Sequence, residues 1–333
     1  MQGPWIISGP LAVVELSVLG SPSGESQGGG VLSLRSFVAS MEKLAARAAT
    51  SDAAVWSAGE ALDLAYLGVL GCTMSIAPTL GAALRCFANY FGTVQSATAI
   101  RIEQDNDRVQ LHYRILDENI WPRRADAELT LGIVASTIRR YAPDAGRSVS
   151  VQFEGGHAAS NRAIEMRLQR PVLQGDDNTI AFPARLLDAR LPVPAANASA
   201  AASDFREGIN LLNRHLGCVR AMQPVSARVQ ELLLERTGQT AADQDSIARA
   251  LAMSRRTLRR KLEAEGTSFL ELNESCRCSI GRALLLRTEL PLVEIAMRLG
   301  YSDHTAFSRA FSRWCGVPPG ALRKTLAGAS ATT

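Results

Sequence analysis

Along the first two hundred residues the apolar positions change period several times. At 34–48 (LRSFVASMEKLAARA) they recur every three or four residues, which predicts a helix. The same period predicts helices around 59–70 and at 79–91, where Leu80, Leu84, Phe87 and Phe91 share one stripe behind a Pro-Thr start. Strict alternation follows at 98–103 and 108–116 across an Asp/Asn-rich turn, predicting a hairpin. Residues 125–141 return to the helical period with Leu129, Ile133, Val134 and Ile138 inward, and 148–155 and 178–183 read as further short strands. This irregular mixture is an α+β pattern. From 224 onward every pattern is helical, with short turns between.

Composition supplies the boundaries. Residues 1–30 end in SPSGESQGGG and read as a flexible segment; LPVPAANASAAAS (191–203) has the composition of a linker. Beyond it Phe205, Ile209, Leu212 and Leu216 form one seam on a helix, suited to packing on its own domain or to a dimer contact. The expected division is therefore 1–30 flexible, 31–197 α+β, 198–223 linker and helix, 224–326 all-α, and 327–333 a tail.

No apolar run reaches the roughly 18–20 residues of a membrane span, and the N-terminus lacks the basic start of a signal peptide. The six cysteines show no CxxC spacing, so free thiols in a reducing cytoplasm are expected, with neither zinc nor a disulfide framework. The net charge of +4 is unevenly placed. Residues 224–326 hold 16 Lys/Arg against 11 Asp/Glu, whereas the rest holds 20 against 21. The excess positive charge thus belongs to the last third, as in a polyanion-binding module.

Five basic residues crowd the seven positions from Arg255 to Lys261. On a helix Leu258 and Leu262 face inward, Arg255, Arg256, Arg259 and Arg260 face outward, and Ser254 is placed as an N-cap. The short helix pattern DSIARALAM precedes them, completing a helix-turn-helix whose second helix would enter a major groove. A solvated charged face is the ordinary explanation of such a run, but the architecture recurs. Ile295, Ala296 and Leu299 match Ile247, Ala248 and Leu251 at an offset of 48; Phe307 and Phe311 match Leu258 and Leu262 at 49. His304, Thr305, Ser308 and Arg309 then take the outward positions, and Ser302 or Asp303 the cap. A helix over about 270–287, roughly 27 Å long, separates the two units. Two reading helices so spaced suit successive major grooves about 34 Å apart.

IARALAMSRRTLRRKLEAEGTSF, the spacer and PLVEIAMRLGYSDHTAFSRAFSRWCGVPPGALR together resemble the DNA-binding domain of the AraC family of bacterial transcription regulators. APTLGAALRCFANYFGTVQ and DNTIAFPARLLDARLP resemble the arabinose-binding-type sensor domain found in one branch of it. The resemblance implies an α+β sensor domain followed by two helix-turn-helix units joined by a linker helix. It also implies an activator of promoter DNA, gated by a small-molecule effector, often dimeric, and working with RNA polymerase. By that pattern Arg256, Arg259 and Arg260 read bases while Arg255 and Lys261 lie nearer the backbone. In the second unit His304, Thr305 and Arg309 are candidates for base edges, and Ser302, Ser308 and the helix N-terminus for phosphate.

The effector candidates are Trp56, Tyr66, Tyr113, Trp121 and Phe153, with Asp126 and Glu128 for a cationic ligand; each has core or surface packing as its ordinary role. DENIWPRRADAELTLG (117–132) resembles a sub-branch regulating operons of amine oxidation, which implies a small amine. His112, His157 and His215 lack metal-ligand spacing, and FEGGH (153–157) lacks the context of a phosphate loop. No GxSxG, HExxH or paired-carboxylate signature supports an enzyme or calls for a cofactor. The competing readings are a DNA-binding protein that needs no effector, and an enzyme with an accessory DNA-binding module.

Overall fold

The computed structural model describes residues 3–19, 30–48, 53–154, 158–191, 198–236, 243–288 and 290–323. Contacts divide the chain into two compact units, Met1–Val219 and Arg220–Thr333.

The first unit opens with strand β1 (Trp5–Ile7) and helix α1 (Gly9–Leu19). This differs from the flexible segment expected at 1–30. Ile6, Leu11 and Val14 are buried in the main core, and Pro10 sits at the first turn, where its missing N–H costs nothing. The low-complexity stretch at 20–29 lies outside the described residues. Next come β2 (Val31–Ser33), α2 (Leu34–Arg47), α3 (Ala54–Ala61), α4 (Val69–Ser75) and α5 (Leu80–Tyr90). The single helix expected at 59–70 is broken twice. The Asp63 carboxylate accepts from the Ala65 amide and starts a separate 3-10 turn, and Gly68 at φ +62° redirects the chain. Thr79 caps α5 through the Ala82 amide.

Strands β3 (Thr98–Gln104) and β4 (Arg108–Ile115) form the expected hairpin. They are followed by α6 (Arg124–Tyr141), β5 (Ser150–Glu154), α7 (Ala158–Leu168), β6 (Leu173–Gly175) and β7 (Asn178–Pro183). The strands build one sheet in the order β3-β4-β7-β5-β6, antiparallel except for the β5–β6 pair. Helix α6 is buried along most of its length and packs on α2, α3 and strands β4, β5 and β7. Its crossing with α3 is close because both helices carry glycine there: a Cβ on Gly132 would meet the Trp56 carbonyl at 2.6 Å.

Helix α8 (Ala198–Met222) starts inside the Ala/Ser stretch expected as linker, in keeping with alanine's helix preference. Its seam folds back on its own unit. Leu212 is buried in the first core, Phe205 and Ile209 pack on that core, and Leu216 is buried. Gly208 lies so near Thr73 of α4 that a Cβ would clash, and the Tyr90 hydroxyl donates to Asn213 at 2.8 Å. The seam is used within the chain.

The second unit consists of α9 (Val225–Arg236), α10 (Gln244–Ala250), α11 (Arg255–Ala264), α12 (Phe269–Arg287), α13 (Leu292–Arg298) and α14 (His304–Cys315). It holds two separate small cores. Val225, Val229, Leu233, Ile247, Leu251, Leu258 and Leu262 form one with Leu272 and Cys276 of α12. Ile295, Leu299, Phe307 and Phe311 form the other with Ile280 and Leu285 of the same helix. The spacer is therefore a floor shared by both modules. It begins at a capping box in which the Glu271 amide donates to the Ser268 hydroxyl and the Ser268 amide donates to Glu271. No described helix is long and apolar enough to cross a membrane. The tail at 327–333 lies outside the described residues.

Candidate nucleic-acid interface

The two modules share their turn down to single hydrogen bonds. Helix α10 is closed by Leu251 at φ −89°, ψ 4°, and α13 by Leu299 at the same angles. The next residues, Ala252 and Gly300, both take left-handed backbone, at φ 54° and 78°. The Met253 amide then donates to the Ala248 carbonyl and the Tyr301 amide to the Ala296 carbonyl, each at 2.9 Å. After this turn the second module has one extra residue, Ser302, before its cap. Ser254 and Asp303 therefore occupy equivalent positions.

The caps differ in charge, and this changes what each helix end can do. The Ser254 hydroxyl accepts from the Thr257 amide at 3.1 Å. Asp303 accepts from the Thr305 and Ala306 amides, both at 2.8 Å, and Ser302 donates to it at 3.2 Å. Those bonds, the Ala306 amide foremost, hold the Asp303 carboxyl below its usual range, so it is an anion. The N-terminus of α14, expected as a phosphate seat, is thus already filled by the chain's own carboxylate. A phosphate there would meet like charge.

On α11 Leu258 and Leu262 are buried while Arg255, Arg256, Arg259, Arg260 and Lys261 are exposed. Arg255 bonds Gln244 at 3.2 Å and lies 3.7 Å from Asp245, which turns it toward α10. Arg259 donates to Glu263 at 2.7 Å. Hydrogen bonds from Ser226 and Val225, with a smaller contribution from Lys261, outweigh partial burial and hold the Glu265 carboxyl below its usual range, and Arg256 and Arg260 have no side-chain partner among the described residues. On α14 His304, Thr305 and Arg309 are exposed, Ser308 is half-buried, and Phe307 and Phe311 are buried. The two outward faces thus offer a cationic helix and a mixed polar one. Fork-shaped guanidinium groups suit guanine edges, and hydroxyls suit bases or phosphates.

Three contributors escaped the sequence reading. Glu263 neutralises part of the outward face of α11. Glu265 accepts from the Val225 and Ser226 amides at 2.7 and 2.8 Å, so the end of α11 caps the start of α9. Arg277 lies 5.3 Å over the Tyr301 ring and ties the spacer to the second turn. Glu263 was within reach of sequence, as an i, i+4 partner of Arg259; the other two are long-range contacts without a local signal.

In the first unit the effector candidates fall into three groups. Trp56 and Phe153 are fully buried and meet edge to face at 6.3 Å; Arg124 lies 3.6 Å over the Phe153 ring and donates to Glu128 at 2.7 Å and to Asn161 at 2.6 Å. The Ser160 hydroxyl also donates to Glu128, at 2.6 Å. Tyr113 and Asp126 are buried as a hydrogen-bonded pair, with the Gln95 amide donating to Tyr113 at 2.9 Å. Burial pushes the Asp126 carboxyl up to about 7. Beside it Arg123 is buried between Glu154 and Glu118. Tyr66 and Trp121 are exposed, with Arg123 lying 5.8 Å from the Trp121 ring. His112 is held by Asp177 and Thr179, His215 is exposed on α8, and Gly155–His157 lie outside the described residues. Among the described residues no group of three or more His, Cys, Asp or Glu could hold a metal ion.

Comparison with known proteins adds the lineage. Residues 21–191 match the arabinose-binding domain of AraC transcription regulator, N-term, and residues 247–325 match a helix-turn-helix domain. An uncharacterised HTH-type transcriptional regulator of Mycobacterium tuberculosis is 26% identical over 273 residues, 78% of this chain and 75% of its own. The HTH-type transcriptional regulator VqsM of Pseudomonas aeruginosa is 25% identical over 257 residues, covering 75% of this chain and 77% of its own. The ornithine utilization regulator of the same organism is 37% identical over 109 residues, 33% of this chain and 32% of its own. The crystal structure of the transcriptional regulator CdpR from Pseudomonas aeruginosa is similar at 24% identity and a TM-score of 0.41, covering 95% of this chain and 96% of that one. The chain belongs to the AraC family of transcription regulators, with an arabinose-binding-type domain ahead of its DNA-binding helix-turn-helix domain.

Proposed function

We propose that this regulator activates transcription by placing α11 and α14 in successive major grooves of one promoter, under the control of a small molecule taken up by the first unit. The observation that carries this is the repeated turn: two modules of the same build are mounted on one spacer helix, each with its outward face polar or cationic. In this reading Arg256, Arg259 and Arg260 read bases in the first groove, with Arg255 and Lys261 at phosphates. His304, Thr305 and Arg309 read the second, with Ser308 at phosphates and Ser302 joining it once its hydroxyl turns away from Asp303. A small amine is the effector class that best suits the first unit. There Arg124 already rests on an aromatic face beside a carboxylate, so the Phe153–Glu128 environment accommodates a cation. The homodimer of this reading uses a face other than the α8 seam, and activation proceeds through contact with RNA polymerase in the cytoplasm.

The test has two arms on the full-length protein. Arg260→Ala and Arg309→Ala each weaken specific promoter binding by about tenfold or more in fluorescence anisotropy while leaving the melting-temperature response to effector unchanged. A thermal-shift screen of small amines, amino acids and organic acids identifies the effector, with amines giving the shift. Unchanged promoter affinity in both variants would refute the DNA reading. A screen in which no compound moves either melting temperature or promoter affinity would favour an effector-independent DNA-binding protein.

A further inference from the structure

Cys278 lies in the middle of the spacer α12, and Cys315 is the last residue of the second reading helix α14. Their sulfurs are 2.9 Å apart although 37 positions separate them in sequence. Both residues are half-buried, so solutes can reach them. The other four thiols are placed differently: Cys86 and Cys276 are buried in the two larger cores, and Cys72 and Cys218 are exposed. The spacing of the six cysteines along the chain gave no hint of this pair, because the pairing is made by the packing of α14 on α12. That packing is close: Phe307 and Phe311 come to the edge of Gly281, and Arg313 bonds Glu274 at 2.5 Å.

We propose that Cys278 and Cys315 are a redox modification site, a thiol pair that closes to a disulfide with a low-molecular-weight disulfide as co-reactant and staples the second reading helix to its spacer. In the first step the Cys278 thiolate attacks one sulfur of the small disulfide. A mixed disulfide forms, and the released thiolate takes a proton from water. In the second step Cys315 gives its proton to solvent and attacks the Cys278 sulfur, expelling the second small thiol. Two protein thiols are oxidised and one small disulfide is reduced to two thiols, so atoms and electrons balance. Burial and the neighbouring sulfur push the Cys315 thiol up to about 12, and the Arg282 guanidinium favours its thiolate.

The closure is conservative. The sulfurs need to approach by about 0.9 Å to reach bonding distance, and the outward face of α14 lies elsewhere on the helix. The oxidised protein therefore keeps its reading surface and gains resistance to unfolding of the second module, because the enclosed segment carries α13 and α14 entire.

The experiment uses the folded full-length protein equilibrated in mixtures of reduced and oxidised glutathione, alkylated, digested and mapped by mass spectrometry. The expected result is a Cys278–Cys315 peptide pair, lost on treatment with dithiothreitol. It should come with a rise in melting temperature and unchanged promoter affinity. Cys278→Ser and Cys315→Ser should each abolish both the pair and the rise. Glutathione adducts without the internal pair, dimers linked through Cys72 or Cys218, pairing only in the denatured chain, or a pair that leaves the melting temperature unmoved would each overturn the proposal. If a serine variant fails to fold, the peptide map and melting shift of the unsubstituted protein decide.

Discussion

Arg256 and Arg260 stand one helical turn apart on α11 and are free of side-chain partners among the described residues, whereas Arg259 is clasped by Glu263. The three arginines are therefore unequal. Arg256→Ala or Arg260→Ala should weaken promoter binding by about 1–3 kcal/mol where the side chain reads a base, and should relax specificity at that position. Glu263→Gln should tighten binding, since it frees Arg259 and removes a negative charge from the face presented to phosphates. Competition titrations with promoter and scrambled duplex check both, and a Glu263→Gln protein that binds more weakly would contradict the assignment. In the first unit Asp126 makes a different prediction. Its folded-state pKa of about 7 is raised above the unfolded value near 3.8. The stability contributed by its protonated form is thus complete below about pH 4 and is lost as pH rises through 7. Asp126→Asn keeps an oxygen to accept the Tyr113 hydrogen bond and should flatten the fall in melting temperature between pH 4 and 7, measured against the unsubstituted chain.

The elements were legible where a local pattern and the final packing agree. Helix α6, the β3–β4 hairpin and the two reading helices follow from periodicity, because each buries one regular set of side chains in its own module. Trp5–Leu19 was not legible as structured, since a strand of three residues and a helix apolar on several sides carry no distinctive period. The break at Gly68 and the short strand β6 were missed for the same reason. In the repeated turn, sequence offsets located both copies but hid a difference in strain. Ala252 takes a left-handed conformation with a side chain, while Gly300 takes it without one. Ala252→Gly should therefore raise the stability of the second unit by about 1 kcal/mol, and Gly300→Ala should lower it by a similar amount. Among the described residues the atom nearest a Cβ at Gly300 is an Arg277 nitrogen at 4.0 Å, so the cost there is backbone strain and not crowding. Denaturant midpoints of the two variants check the pair, and a destabilised Ala252→Gly protein would be the wrong sign.

At the scale of the whole molecule, the chain joins a sensor-type unit with a buried, internally paired polar core to a DNA-binding unit whose charge is turned outward. The exposed faces of α11 and α14 were legible in sequence, because they are the complement of a regular apolar stripe. The candidate effector residues were not, because Trp56, Tyr113, Asp126, Glu128 and Phe153 are all buried inside the fold, and burial alone does not separate a ligand's partners from the core's. The central claim is that one polypeptide engages two successive grooves through a shared rigid spacer, which α12 supplies with a 19-residue span lining both cores. Methylation-protection footprinting of the full-length protein on its promoter tests this directly. The account predicts protected guanines in two major-groove segments one helical turn apart on the same face, with Arg260→Ala erasing one segment and Arg309→Ala the other. Protection confined to a single groove, or loss of the same segment in both variants, would contradict it.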